Sequence, residues 1–350
     1  MASALTAFLV GMGCSSLPSG LAGDRWGTVR VLMVFFGLTA AAALGCGLSE
    51  SFGAFLVAHA MLGVAAGLFH PAGLGLLSLS VESNELGSTM GKFGVIGSLG
   101  MIFMPFMVNS SLGWRAGYLG LAGGAAAMLV VCVALSRAGV LIDERPPEEQ
   151  QAKLSGPSLL NWRVALTLLL GAMGVNAFLS SGWESIYLET IRDVGLIVLE
   201  DKTVASGVLV VGALGQYVGG LLARDAFTAS RYAVILVLQA LVLLGTATAL
   251  DRSMLPFMLL GSFAFFNTMT MPMENRLLAG YTSTRRRSTA YAFKFVVALL
   301  IAAPAPWLAH EFYDGVASQP VYRLLSLAGL VGVFAGYFFL RSTRVVSSRR

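Results

Sequence analysis

Charge is what this chain has least of. Asp, Glu, Lys and Arg together make up 12% of its 350 residues, against about 25% in a water-soluble domain. The polar surface needed to stay dissolved is missing. Cysteine is scarce as well: Cys14, Cys46 and Cys132 are odd in number, lie inside apolar runs and share no metal-ligand spacing. They read as small packing residues, and neither a disulfide framework nor a cysteine metal site is expected. Carboxylates are sparse within the apolar runs, and no Gly-rich loop opens onto Lys-Ser/Thr. The scattered Ser and His residues fall in no motif that would bring them together. The chain does not read as an enzyme, and no metal or cofactor is expected. The formal charge of +5 belongs first to membrane-protein loops, so no nucleic-acid partner is inferred.

What the chain has in quantity is hydrocarbon. Hydrophobic residues make up 56% of the sequence and the mean hydropathy is +0.77. Apolar runs of about the 17–25 residues needed to cross a bilayer recur throughout. Eleven spans are expected, at 2–19, 31–49, 52–77, 91–111, 116–136, 163–187, 204–223, 231–250, 253–273, 289–309 and 321–340. Transmembrane β-strands alternate in polarity and are about half as long, which excludes a barrel. The expected fold class is an all-α polytopic membrane protein. The one long polar interruption, 137–162, contains Asp143-Glu-Arg-Pro-Pro-Glu-Glu-Gln-Gln-Ala-Lys153, whose prolines and mixed charge suit a linker outside the bilayer.

The chain repeats itself. Asp24 and Asp225 are 201 residues apart, as are Arg30 and Arg231, and Pro71 and Pro272; Lys92-Phe93 and Lys294-Phe295 are 202 apart. Markers at nearly one offset indicate a duplicated unit. The expected organisation is an N-terminal bundle of five spans (1–136), the 137–162 linker, and a C-terminal bundle of six spans with a short basic tail (163–350). Placing the linker, the C-terminus, the 20–30 turn, the 224–231 turn and the 274–288 turn on one side puts seventeen Lys and Arg there. Five fall on the other side, and Lys294 lies within a span. The bias makes linker and C-terminus cytoplasmic. Residues 1–19 carry no basic leader and read as a mature span rather than a cleavable signal.

Several stretches carry a family resemblance. Gly20-x-x-x-Asp24-Arg25-x-Gly27 with Arg30 resembles the loop signature between helices two and three of the major facilitator superfamily. His59-x-x-x-Gly63, Phe69-His70-Pro71-Ala72-Gly73, Gly113-Trp114-Arg115 and Pro272-x-x-Asn275 are similar to further stretches of the same family. The resemblance implies two pseudo-symmetric helical bundles around a central cavity, one rocking against the other to alternate access. On that template the eleven spans are helices two to twelve, and the family's first helix has no counterpart among them. His59 stands where the family usually carries Arg, at a position it associates with proton coupling. The Gly-Pro pair of drug–proton antiporters is missing, which argues against multidrug efflux.

The candidate functional residues follow, each with its plainer alternative. Gly20, Asp24, Arg25, Gly27 and Arg30 read as a conformational latch, with Asp24 at a helix N-terminus or beside a cation, or as an ordinary hairpin turn. Asp225 and Arg231 are the repeat copy, with the order reversed to Arg224-Asp225. His59, His70 and Glu184 are proton-coupling candidates, because ionisable groups within spans default to function. The alternatives are packing histidines and an interfacial carboxylate. His59 and His70 are eleven residues apart, about three helical turns, and so lie on nearly the same face. Asn176, Gln216, Asn267 and Thr268 are polar residues of spans that line the cavity in the family, hence substrate-cavity candidates or interhelical hydrogen-bond formers. Lys294 joins them, or snorkels toward the headgroups. Lys92, Glu274 and Asn275 are candidates for a cytoplasmic gate or for helix-end clusters. Gly63-x-x-x-Gly67 and Gly215-x-x-x-Gly219 are expected to pack helices closely.

Two functions are carried forward. The first is a secondary active transporter that moves a small organic solute by alternating access with coupling to protons, in the bacterial inner membrane. Its partners are that solute, with the lysines favouring an anion, protons and the lipid bilayer, and monomer is the default state. The second is a transport-inactive relative serving as a membrane sensor or assembly partner.

Overall fold

The computed structural model describes residues 2–108, 113–142, 159–193, 201–249, 255–313 and 319–347. The charged stretch Asp143–Lys153 of the expected linker lies outside the described residues. The elements in chain order are α1 (Ala2–Trp26), α2 (Thr28–Leu48), α3 (Phe52–Ser80), α4 (Leu86–Val108), α5 (Gly113–Arg137), α6 (Leu159–Asp193), α7 (Asp201–Leu222), α8 (Thr228–Ala249) and α9 (Leu255–Tyr281). A 3-10 turn (Thr284–Arg286) then leads into α10 (Arg287–Ala302), α11 (Ala305–Glu311) and α12 (Gln319–Ser347). Among the described residues there is no strand. Eight of the spans, α10 and α11 counted as one, are long and apolar enough to cross a membrane. Large apolar side chains such as Val57, Ile96, Leu241, Leu300 and Phe334 stay exposed on the helices, as they do where lipid rather than water is the solvent. The chain is an all-helical, multi-pass membrane protein.

Two details of the helices differ from the expected spans. The turn expected over Gly20–Arg30 shrinks to a single residue: α1 runs on to Trp26 and α2 begins at Thr28. Gly27 sits between them with φ 103° and ψ 144°, a conformation open almost only to glycine. Asp24 therefore lies in the last turn of α1 rather than in a loop. The span expected at 289–309 breaks in two, because Pro304 and Pro306 lack the N–H groups that would continue the helix. Pro71 and Pro272, by contrast, sit inside unbroken helices, α3 and α9, at matching places in the repeat.

The chain forms two compact units. The first comprises Met1–Val81, Phe106–Ser155 and Thr282–Val296; the second comprises Glu82–Pro105, Gly156–Tyr281 and Val297–Arg350. In the first, α1 and α2 both pack on α3, and α5 packs on α2. Gly63 and Gly67 of α3 press directly on the backbone of α1 at Phe8 and Met12. In the second, α9 packs against α7, α8 and α6, and α12 against α8 and α6. There Gly215 and Gly219 of α7 press on the α9 backbone at Phe265 and Met269. The close-packing motifs thus join equivalent helix pairs, α1–α3 and α7–α9. Such backbone approach raises the van der Waals contact that holds helices together in lipid. The core of the second unit gathers Trp183, Ile186, Leu243, Phe263, Tyr322 and their neighbours.

Gly27→Ala tests the one-residue turn. The substitution forces a Cβ into a strained backbone region, and stability is expected to fall by about 1–3 kcal/mol, read as a lower thermal unfolding midpoint of the detergent-solubilised protein.

Candidate functional site

The first four N–H groups of a helix have no partner within it. At the start of α10 two of them find one on α1. The Ser288 N–H donates to Asp24 Oδ1 and the Thr289 N–H to Asp24 Oδ2, each at 3.0 Å. The carboxylate so placed also meets the positive end of the helix dipole. Glycine makes the approach possible: a Cβ on Gly20 would lie 2.7 Å from the Ser288 carbonyl and 2.8 Å from the Thr289 Cα. The α10 start is pinned from α3 as well, where the Arg287 guanidinium donates to the Ser78 carbonyl. Arg25 and Arg30 are exposed at either side of the turn.

The repeat copy is wired differently. Asp225 keeps its carboxylate in its own turn, accepting the Phe227 N–H at 2.9 Å and forming a two-pronged pair with Arg231 at 3.0 Å for each contact. Arg231 also donates to the Leu222 carbonyl at 2.7 Å, so the α7–α8 turn is closed locally. It is Arg224, the residue before, that reaches α4, donating to Ser88 Oγ at 3.2 Å. The reversed Arg-Asp order accounts for the switch. Gly220 of α7 lies against Gly91 of α4, where a Cβ would come within 2.8 Å of the opposing Cα, the counterpart of Gly20 against α10. The Phe227 amide, then Arg231, hold the exposed Asp225 carboxyl below its ordinary value.

His59 and His70 share α3 but serve different neighbours. The His59 ring stacks on Phe55 (centroids 5.3 Å, 15°), lies 5.5 Å from Phe8 of α1, and has its Nδ1 3.2 Å from the Tyr118 hydroxyl of α5. Close by, the Arg115 guanidinium donates to the carbonyl of Ser49 at 2.8 Å, a cation satisfying the C-terminal end of α2. His70 instead stacks on Phe295 of α10, with centroids 4.6 Å apart and an interplanar angle of 24°. Lys294, next to Phe295 in sequence, is 7% exposed.

In the second unit three of the expected polar residues meet. The Asn176 amide of α6 donates to Thr270 Oγ1 (2.8 Å) and to Glu274 Oε1 (3.3 Å) on α9, and accepts from the Asn267 amide (2.9 Å). The Tyr232 hydroxyl of α8 donates to the same Glu274 oxygen at 3.2 Å. All five side chains are buried, and three helices are tied through one polar knot. Gln216 and Thr268 stand apart from it. The Gln216 amide donates to Ser98 Oγ on α4 at 3.4 Å, and the Thr268 hydroxyl to the Gly212 carbonyl on α7 at 2.6 Å. Asn275 is half-buried beside Glu274, and Lys92 is exposed on α4. Glu184 is exposed on α6 and accepts from the Ser180 hydroxyl at 2.9 Å. A crevice of about 790 Å³ between α7, α9 and the end of α6 is lined mainly by apolar side chains, Val204, Val208, Phe257 and Phe265 among them; none of the polar cavity candidates lines it.

Tyr118, Tyr232 and Thr270 were not singled out in the sequence, nor were the α10 amides. A readable signal existed only for Tyr118, which falls one turn after Trp114 in the Gly113-Trp114-Arg115 stretch. Backbone donors have no residue type to read.

Glycine-packed helix pairs at repeat-related places and candidate membrane spans among the described residues define an all-helical, multi-pass membrane fold. The family model of the major facilitator superfamily matches residues 1–306, and the chain belongs to that superfamily. Solved structures agree on the fold. The human organic anion transporter MFSD10 (TETRAN) superposes with a TM-score of 0.77 at 17% identity, over 95% of this chain and 82% of that one. The proton:xylose symporter XylE gives 0.69 at 14% identity, over 97% and 85%. The fucose:proton symporter FucP of E. coli gives 0.64 at 13%, over 97% and 90%. In sequence, the uncharacterized MFS-type transporter Rv1250 of Mycobacterium tuberculosis is 30% identical over 113 residues, 31% of this chain. The match spans only 20% of that relative's length.

Two measurements check the turn carboxylates. Asp24→Ala leaves two helix-end amides without their acceptor and is expected to cost about 1.5–3 kcal/mol, the worth of hydrogen bonds to a charged group. Asp24→Asn retains one acceptor and loses less, so thermal unfolding midpoints should rank wild type, Asn, Ala. Asp225, with its folded pKa depressed, stabilises above the unfolded carboxyl value of 3.8, and that support is lost as pH falls through the lower folded value. In melting curves against pH, Asp225→Asn should remove this part of the acid sensitivity and leave the rest.

Proposed function

We propose that the chain is a secondary active transporter for a small organic solute, working by alternating access with coupling to protons. The observation that carries the reading is the Asp24 carboxylate on the α10 amides. It joins a helix of the first repeat to one of the second through charge-assisted hydrogen bonds. Such a junction is strong when made and leaves both surfaces intact when broken, as a two-state element requires. On this reading, 1–136 and 163–350 are the two moving bundles and 137–162 is their cytoplasmic linker. Gly20, Asp24, Gly27 and the flanking Arg25 and Arg30 form the latch, while the Asp225–Arg231 turn braces one bundle internally.

His59, in its aromatic surround with Tyr118, is the proton-coupling group, since an imidazole within a span changes charge near neutral pH. His70 and Glu184 are the other candidates on the same grounds. Asn176, Asn267 and Glu274 form the buried polar centre of the second bundle, close to the substrate path and its cytoplasmic gate, with Asn275 beside them. The xylose and fucose symporters support a small solute and proton coupling, and the organic anion transporter supports an anion, each by likeness of fold. Membership of the family and the count of basic residues support a bacterial inner membrane with linker and C-terminus cytoplasmic.

The test is flux into proteoliposomes holding the purified protein, with xylose, fucose and benzoate as trial solutes. Uptake of at least one is expected to depend on an imposed pH gradient. His59→Ala should leave downhill flux but abolish its response to the gradient, and Asp24→Ala should slow transport of the same solute. Flux indifferent to the gradient in wild type and variant alike would overturn proton coupling.

A further inference from the structure

A tyrosine hydroxyl away from water seeks a partner, and that partner decides which way its proton points. Tyr118 of α5 is half-buried, with Phe55 of α3 edge-on at 5.8 Å and Trp114 of its own helix at 6.1 Å between ring centroids. Its hydroxyl lies 3.2 Å from His59 Nδ1, its one hydrogen-bond partner among the described residues. Rings hold the imidazole as well: it stacks on Phe55 at 5.3 Å and tilts against Phe8 of α1 at 5.5 Å. The phenol has a single proton, and a neutral imidazole has one N–H and one bare nitrogen. Were Nδ1 the N–H, the phenol proton would have no acceptor among the described residues, a costly omission in an apolar surround. The hydroxyl therefore donates to a bare Nδ1, and the imidazole proton sits on Nε2. Other ionisable groups at this level are few. Arg115 of α5 is engaged by the Ser49 carbonyl at 2.8 Å and lies 5.2 Å from the centre of the Trp114 ring. On α2 the buried Cys46 follows Gly45, which packs on Ala58 of α3. Residues 2–13 of α1 carry no ionisable side chain.

We propose that Tyr118 is the positioning residue of His59, fixing the neutral imidazole as its Nε2–H tautomer and tying protonation at Nδ1 to the contact between α3 and α5. The assignment rests on the reading of His59 as the proton-coupling group and adds to it the means of coupling. A proton taken up at Nδ1 reverses the bond: Nδ1–H donates and the Tyr118 oxygen accepts. No proton passes between the two residues; only the direction of donation changes. The phenol proton then has to turn away, and no acceptor waits for it among the described residues. The neutral form thus fits this arrangement of α3 and α5 better than the imidazolium does. A proton that favours one arrangement over another shifts the balance between them.

The test is imidazole nitrogen NMR on the full-length protein, isotope-labelled at histidine and held in lipid vesicles. The chain has three histidines, so the spectrum of His59→Gln assigns the His59 signals by difference. In the wild type the bonded proton is expected on Nε2, with Nδ1 bare and accepting. Tyr118→Phe keeps the ring and removes only the hydroxyl, and the Nδ1 signal should move downfield. The Nδ1–H tautomer should gain about two- to tenfold over the other, the worth of one hydrogen bond between neutral groups. A role in packing alone would leave that ratio where it was. A wild-type His59 with its proton on Nδ1, or a Tyr118→Phe spectrum identical to the wild type, overturns the assignment. In proteoliposomes tested with xylose, fucose and benzoate, Tyr118→Phe should weaken the response of flux to the pH gradient. In a His59→Ala background it should add nothing further. An undiminished response in Tyr118→Phe overturns the link between Tyr118 and coupling. The two levels separate. The expected tautomer with wild-type flux indifferent to the gradient overturns proton coupling and keeps the positioning of His59. Gradient-driven flux with the proton on Nδ1 overturns the positioning and keeps proton coupling.

Discussion

Hydrocarbon offers no hydrogen bond, and the architecture of this protein follows from that. Every backbone group at membrane depth has to be satisfied by the chain itself, so the described residues are almost wholly helical. The α1–α2 junction is the extreme case, one glycine at φ 103°. The same constraint leaves each helix start with amides in need of an acceptor. At α10 they are met by Asp24, and at the other end of the ledger the Ser49 carbonyl closing α2 is met by Arg115. Side chains obey it too. Asn176, Asn267, Thr270, Glu274 and Tyr232 are tolerable in a buried place because they satisfy one another.

A duplicated chain under this constraint need not stay symmetric. The glycine contacts do: α3 on α1 and α9 on α7 use the same kind of backbone approach, and Gly20 and Gly220 each let a second helix come close. The charges do not. In the first repeat the aspartate binds a helix N-terminus; in the second it is held by its own arginine, and Arg224 takes up the contact with α4. Close packing depends on the absence of a side chain and survives drift at neighbouring positions. A charged contact depends on one residue's placement and reverses with a single exchange of order. One aspartate therefore caps a helix of the other repeat, while its counterpart is held within its own turn.

The polar residues divide along similar lines. His59 and His70 are three turns apart on one helix, yet one is enclosed by Phe8, Phe55 and Tyr118 and the other packs against Phe69 and Phe295. A histidine within an apolar run has no fixed role until its neighbours are known. The first has a tyrosine hydroxyl beside its ring nitrogen, the second is packed between phenyl rings. Glu274, which the sequence places at a helix end beside Pro272, lies instead within a buried knot joining α6, α8 and α9.

Much of the fold was legible in the chain itself. Membrane residence, the helical class and the superfamily all follow from hydrophobicity, spacing and short motifs, which are properties of neighbouring residues; of the eleven expected spans, eight are long and apolar enough to cross a membrane among the described residues. The turn expected over Gly20–Arg30 narrows to Gly27, because one glycine at positive φ suffices to end α1 and begin α2. What sequence could not supply was partnership. Asp24 and Ser288 are 264 residues apart, and the acceptor's target is a backbone amide that no residue type announces. Lys294 matches Lys92 by the repeat, yet Lys294 is buried and Lys92 is exposed. Hydrophobic pattern is written along the chain and determined which segments cross the membrane. Which of their polar groups meet depended on how the helices pack, and that only the tertiary structure decided.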